Sequence, residues 1–358
     1  MKLALELAKK GQGFVNPNPM VGAVIVKNGE VIAKGYHRKF GFPHAEVEAF
    51  RNADKSVEDS TLYVTLEPCC HYGKTPPCAD LIVQKKVKRV VVGVLDPNPL
   101  VAGRGIRKLQ KAGIDVTVGV MQDECRKLNE VFFKYILNKK PFVVMKAAVS
   151  LDGKIATKKG ESKWISGRES RKRVHESRGK YSAVMVGINT VLEDNPLLTC
   201  RVKEKNNPIR VIVDSNLRIP LDSKIIKTVS EVPVVIATVN KDLEKIKKLM
   251  KMGVTVLKTN NKDGRVDLNE LISELGKRNI DSILIEGGGT LNYSALQAGV
   301  VDKVEFYIAP KIIGGVDAKT SVEGIGIDKL CETFNVNFGE VSRIGNDILI
   351  QGYVEGKN

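Results

Sequence analysis

The chain has 358 residues and a mass of 39.3 kDa, too long for one ordinary domain and suited to two. A hydrophobic fraction of 42% with 27% charged residues excludes a disordered, fibrous or coiled-coil chain. The net charge of +16 is diffuse, with 23 basic against 14 acidic residues in 1–140 and 34 against 27 in the remainder. With no basic arm or tail, nucleic acid is not expected as a partner, and the surplus suits a small anionic substrate. No run of eighteen apolar residues occurs, so no membrane partner is expected. The opening Met1–Lys10 carries Glu6 inside its short apolar run; it reads as a first helix, and the cytoplasm is the expected compartment.

In chain order, the opening helix ends at Gly11. Val21–Val26, the turn Asn28-Gly29 and Val31–Ala33 form a hairpin with a favoured two-residue turn. A helix over His44–Asn52, a strand Thr61–Leu66, a helix Cys78–Lys86 and an apolar strand Val90–Leu95 follow. Next come a helix Gly105–Ala112, a strand Ile114–Gly119 and one longer helix Asp123–Leu137. A hairpin leading into βα units predicts a mixed sheet with helices on both faces. Asn138-Lys139-Lys140-Pro141 is the expected boundary, giving domains 1–140 and 141–358. The second half opens with a strand over Phe142–Val149. Further strands are read at Val184–Gly187, Ile209–Asp214, Val234–Val239, Val254–Leu257, Ile283–Ile285, Val304–Ile308 and Ile348–Val354. Helices are read at Lys241–Met252, Leu268–Lys277 and Leu291–Ala298, a second α/β domain. His175 is expected on a solvated helix face.

Of six cysteines, Cys69, Cys70 and Cys78 crowd into ten residues, a poor plan for disulfides and a good one for metal. His44, Cys69 and Cys78 supply three zinc ligands and leave a fourth position for water, the open arrangement of a catalytic site. Zinc lowers the pKa of such a water toward ~7. Glu46, two residues beyond His44, reaches that water without ligating and shuttles its proton to a departing amine. His-x-Glu followed by Pro-Cys and a second Cys is a zinc-deaminase signature, although eight residues separate these cysteines where two are usual. A closed site with Cys70 or His71 as fourth ligand is the alternative reading.

Asn16-Pro17-Asn18-Pro19-Met20-Val21-Gly22, His44-Ala45-Glu46 and Glu67-Pro68-Cys69-Cys70-His71 through Thr75-Pro76-Pro77-Cys78 resemble the deaminase half of the bifunctional riboflavin-biosynthesis deaminase–reductases. In that family the eight-residue spacing is normal. The resemblance implies zinc on His44, Cys69 and Cys78, Glu46 as proton shuttle, and substrate contacts at Asn18 and His37. Asn18 also reads as a turn residue before Pro19, and His37 as a loop residue. Lys74, between the cysteines, stands where a base meets a substrate phosphate or simply faces solvent.

In the second half, Glu286-Gly287-Gly288-Gly289-Thr290 between an apolar strand and a helix reads as a nucleotide or phosphate site. Lys146–Lys154, Ser162–Gly167, Gly187–Pro196 and this glycine run resemble the family's reductase, similar in fold to dihydrofolate reductase. The implied fold class is α/β, a cytidine-deaminase-like N-terminal domain and a dihydrofolate-reductase-like C-terminal one. The implied chemistry is deamination of a diaminohydroxypyrimidine bearing a phosphoribosylamino group, then NADPH-dependent reduction of the ribosyl to a ribityl chain. Substrate contacts fall on Ser162, Arg178, Leu198 (through its backbone), Arg201 and Glu286, the two arginines suiting a phosphate. Cofactor contacts fall on Ala148, Trp164, Thr190, Asp194, Ser215 and the run Gly288, Gly289, Thr290, Leu291, Asn292, Tyr293, Ser294. Lys146 stabilises or donates a proton to the reacting centre, or is a solvated strand end. Trp164 is read as a ligand-facing ring, and Arg218 as a reader of the cofactor 2′-phosphate. A small phosphorylated pyrimidine is the expected partner, and a homo-oligomer the expected assembly.

Overall fold

The structure is a computed structural model and describes residues 1–72 and 76–356. The chain divides into two compact units, Met1–Lys139 and Lys140–Asn358. The first unit runs α1 (Lys2–Lys9), β1 (Gly22–Lys27), β2 (Glu30–Tyr36), α2 (Ala45–Arg51), β3 (Thr61–Leu66) and α3 (Cys78–Gln84). It continues with β4 (Arg89–Val94), α4 (Arg104–Lys111), β5 (Asp115–Val118), α5 (Gln122–Leu128) and α6 (Glu130–Asn138). Its sheet order is β2-β1-β3-β4-β5. β1 pairs antiparallel with β2 and β3, while β3, β4 and β5 are parallel, so the sheet is mixed. Asn28 and Gly29 both take positive φ at the hairpin turn, as a two-residue primed turn requires. Strand residues alternate between two faces: Ala23 and Ile25 pack with Ala45, Ala49 and Ile82 of α2 and α3. Val24 packs with Ala4 and Leu7 of α1 on the other face.

The single helix read over Asp123–Leu137 is two helices. They part at Asn129, whose φ of −108° lies outside the helical well. Its side chain accepts from Met20 N (2.8 Å) and donates to Met20 O (2.9 Å). This pair anchors the loop that carries Asn18.

The second unit opens with β6 (Phe142–Ser150), α7 (Arg168–Arg178), β7 (Ala183–Gly187), α8 (Ile188–Asp194), β8 (Ile209–Val213) and α9 (Lys224–Lys227). Then come β9 (Val234–Thr238), α10 (Leu243–Lys251), β10 (Thr255–Lys258), β11 (Asn261–Lys262), β12 (Arg265–Val266) and α11 (Leu268–Lys277). β13 (Ser282–Ile285), α12 (Gly289–Gln297), β14 (Lys303–Ala309), β15 (Val336–Ile344) and β16 (Asp347–Val354) complete it. Nine strands form one mixed sheet in the order β10-β9-β8-β7-β13-β6-β14-β16-β15. Its central strands are near-continuous apolar runs because both faces are covered. Val143, Met185 and Ile283 meet α11 and α12 on one face, while Val184, Ile212 and Ile236 meet α8, α9 and α10 on the other. Asp267 caps α11 by accepting from Asn269 N and Glu270 N. Among the described residues no helix is long and apolar enough to cross a membrane.

Candidate active sites

In the first unit β3 ends at Leu66, and Glu67-Pro68-Cys69 turns the chain across the carboxyl end of the sheet. Cys78 opens α3, and His44 is the N-cap residue of α2, which puts Glu46 in its first turn. His44 Nδ1 lies 3.3 Å from Cys78 Sγ and 3.5 Å from Cys69 Sγ, and all three donor atoms lie within 4.8 Å of one another. Tetrahedral zinc with N and S ligands at its usual bond lengths separates them by about 3.5 Å, so the donor set fits zinc. The Cys69 thiol is held well below its usual range, first by its hydrogen bond to Cys78, which favours the thiolate that ligates. Cys70 is outside the cluster, its Sγ turned to the Leu100 carbonyl at 3.8 Å; His71 lines the adjoining pocket but is not in the cluster either.

That pocket encloses about 220 Å³. Glu46 is buried on its wall, and burial, partly opposed by the His44 charge, pushes its carboxyl up to about 7. His37 is also buried, and burial lowers its pKa. Its Nδ1 lies 3.0 Å from the Pro43 carbonyl, which can only accept, so Nδ1 donates and Nε2 accepts from Asn18 Nδ2 at 3.3 Å. Asn18 and His37 thus form one oriented pair on the pocket wall. Lys74 lies outside the described residues. Asp96, Asn98, Phe132 and Ile136 also line this pocket and escape the sequence reading. The readable signal for the polar two was Asp96-Pro97-Asn98-Pro99 directly after an apolar strand, at the sheet's carboxyl end.

The second unit holds a cleft of about 610 Å³ over the carboxyl ends of its parallel strands. Lys146 and Ala148 of β6, Ser162, and Thr190 and Asp194 of α8 line it, as do Ser215, Arg218 and Glu286. So do Gly288 through Asn292, and Ser294. The glycines have different reasons. A Cβ on Gly289 would stand 2.5 Å from Glu323 Cγ and 2.6 Å from the Thr320 carbonyl, whereas one on Gly288 would meet nothing within 4 Å. Gly289 seats the helix and Gly288 leaves backbone open to the cleft.

Glu286 is buried and receives a two-pronged grip from Arg178, Nε to Oε1 at 2.6 Å and Nη2 to Oε2 at 3.0 Å, with Lys146 Nζ at 3.6 Å. Burial alone would raise its carboxyl, but Arg178 and then Lys146 overrule it and hold it at about 2. Five site candidates of the sequence reading lie off the cleft wall, and His175 also sits differently from that reading. Arg178 spends its fork on Glu286 and the Thr199 carbonyl, leaving little of it for a phosphate. Trp164 is exposed, off the cleft wall, with the Arg171 guanidinium 4.6 Å above its ring. Tyr293 faces inward, donating to the Gly326 carbonyl at 2.6 Å against Phe334. The Leu198 side chain is buried off the cleft wall, which leaves only its backbone for the contact read from the sequence. His175 is only partly solvated: it is half-buried and its Nδ1 is shut off from solvent, because α7 packs that side of its surface inward. Arg201 is exposed and not on the cleft wall.

Comparison with known proteins matches residues 1–94 to the cytidine and deoxycytidylate deaminase zinc-binding region, and residues 141–350 to the RibD C-terminal domain. The riboflavin biosynthesis protein RibD of Actinobacillus pleuropneumoniae is 50% identical over 98% of this chain and 93% of its own. That of Aquifex aeolicus is 45% identical over 98% and 96%. A solved diaminohydroxyphosphoribosylaminopyrimidine deaminase/5-amino-6-(5-phosphoribosylamino)uracil reductase from Thermotoga maritima superposes with a TM-score of 0.87 at 40% identity, covering 99% of this chain and 97% of that one. With a zinc-deaminase half and a reductase half joined as in these full-length relatives, the chain belongs to the RibD family of bifunctional deaminase–reductases of riboflavin biosynthesis.

Proposed function

We propose that the first unit deaminates 2,5-diamino-6-(5-phosphoribosylamino)pyrimidin-4(3H)-one and that the second reduces the ribosyl chain of the product to ribityl. The observation that carries this reading is the His44, Cys69 and Cys78 donor set beside buried Glu46 in one small pocket. His44, Cys69 and Cys78 would hold zinc, which when bound supplies Lewis acidity that makes water a nucleophile near neutral pH. Glu46, with a carboxyl pushed up to about 7, takes the proton from the attacking water and gives it to the leaving amine. Asn18 and His37 orient the pyrimidine with Asp96 and Asn98, while Phe132 and Ile136 exclude bulk water. Lys74 is assigned to the phosphate on its sequence position alone.

In the second unit NADPH supplies the hydride when bound. Lys146 is assigned to protonate the ring-opened sugar, a reading supported by its place on the cleft wall beside Glu286. Ser162 is assigned to the substrate side, and Arg201, off the cleft wall, on its sequence position alone; Ala148, Thr190, Asp194, Ser215 and Gly288–Ser294, less inward-facing Tyr293, are assigned to the cofactor side. Arg218, which donates to Asn189 Oδ1 at 2.6 Å, and Arg265 of β12 both line the cleft, and neither has a carboxylate partner among the described residues. Val266 N donates to Ser215 Oγ at 3.1 Å, which pins Arg265 beside the Ser215–Arg218 turn. These two guanidiniums are assigned to the 2′-phosphate. Homo-oligomerisation is supported by edge strand β15, which leaves Phe338 and Val341 exposed. A cytoplasmic setting is supported by six free cysteines.

Ammonia release and NADPH oxidation followed separately on the purified full chain test this reading. Ammonia should appear from the diaminopyrimidine substrate without NADPH, and NADPH should be consumed only once the deaminated product is present. Oxidation of NADPH by the undeaminated substrate, or no ammonia, contradicts it.

A further inference from the structure

Glu67 is a buried carboxylate that belongs to neither the metal set nor the proton shuttle. It accepts four backbone N–H groups: Oε2 from Asp96 N (3.2 Å) and Gly103 N (2.9 Å), and Oε1 from Gly105 N (2.9 Å) and Ile106 N (3.3 Å). The Gly105 and Ile106 donors lie in the first turn of α4, where helix N–H groups lack partners within the helix and an anion is stabilised. The approach is tight enough to require glycine: a Cβ on Gly105 would stand 2.2 Å from the Pro68 carbonyl and 3.1 Å from Glu67 Oε1. The side chain therefore ties the metal-binding turn to the segment Asp96–Gly103 and to α4.

Apart from the long Cys70 Sγ contact to the Leu100 carbonyl at 3.8 Å, that segment otherwise holds itself together. Asn98 N donates to Asp96 Oδ1 (2.8 Å), Leu100 N to Asn98 Oδ1 (3.0 Å) and Val101 N to the Asn98 carbonyl (2.8 Å). Val101 is its only buried apolar side chain. A compact turn with one apolar anchor has a defined shape, but it needs an external tether to keep a defined position. We infer that Glu67 is a positioning residue for the deaminase: its carboxylate fixes the 96–103 turn so that Asp96 and Asn98 meet the pyrimidine, while the metal set holds without it. This rests on reading the pocket as the pyrimidine site.

Glu67→Ala in the full chain leaves a cavity ringed by four N–H donors. Its KM for the diaminopyrimidine substrate should rise by about tenfold or more, with kcat changed by less than about threefold and zinc retained at one per chain. Added formate, small enough to take the place of the lost carboxylate, should bring KM back by several-fold, which a loss of packing alone would not allow. A KM within about twofold of wild type, a KM rise that formate leaves untouched, or loss of zinc overturns the inference. If Glu67→Ala does not fold, Glu67→Gln decides. Gln keeps the shape but turns an NH2 toward backbone donors, so KM should still rise several-fold, and an unchanged KM overturns the inference. Absence of ammonia release by the wild-type chain would instead overturn the deaminase reading.

Discussion

Arg178→Met removes the guanidinium that grips Glu286 and keeps most of the aliphatic stem. Glu286 is then buried with Lys146, 3.6 Å away, as its remaining cation. Breaking a buried pair from one side costs about 3–5 kcal/mol, and the surviving lysine places this case near the lower end. The titration of Glu286 gives a similar figure: a carboxyl held at about 2 against an ordinary 4.5 stabilises the fold by about 3 kcal/mol at neutral pH. Because the folded value lies below the unfolded one, that stability is complete above the unfolded value. It drains as pH falls toward 2, with about 2 kcal/mol gone by pH 3. Trp164 is the chain's single tryptophan and lies in the second unit, so its emission during urea unfolding reports that unit. Arg178→Met should lose about 3 kcal/mol at pH 7. Pairing it with Glu286→Leu should recover most of that and remove the acid-side loss. A single-variant loss below about 1 kcal/mol would mean that the ion pair does not stabilise this unit as its geometry implies.

Cys78→Ser should bind substoichiometric zinc by elemental analysis and lose ammonia release, while reduction of supplied deaminated product continues. Asp96→Asn should raise KM for deamination by about tenfold, the scale of one hydrogen bond to a charged group, with zinc unchanged. Arg265→Ala should weaken calorimetric binding of adenosine 2′,5′-bisphosphate by about tenfold and leave binding of 5′-AMP unchanged; equal weakening of both would move the 2′-phosphate elsewhere.

What could be read from the sequence follows from how local each signal is. Thr61–Leu66 and Leu268–Lys277 are legible because an apolar run lies within the one and an Asp cap directly precedes the other. Strand β15 is not, because five consecutive residues, Asn337 through Val341, are exposed and no alternation marks it. Helix α7 has seven charged residues in eleven and no apolar stripe. Its start is held from 180 residues away, where Asp347 accepts from Gly167 N (2.7 Å) and Ser170 Oγ (2.5 Å). The break at Asn129 depends likewise on Met20, which no local pattern announces. At the sites, His44, Glu46, Cys69 and Cys78 could be read because metal chemistry dictates residue type and spacing. The partners of Arg178, Trp164 and Tyr293 could not, since which face a side chain presents is settled by tertiary neighbours.

The division of labour between the two units comes down to one variant. Glu46→Gln removes the proton shuttle while leaving His44, Cys69 and Cys78 in place. The variant should hold one zinc per chain, release ammonia about 10²–10⁴-fold more slowly, and oxidise NADPH at the wild-type rate when given the deaminated product. Ammonia release within about threefold of wild type, with zinc bound, would contradict the assignment of Glu46 and of the pocket it lines.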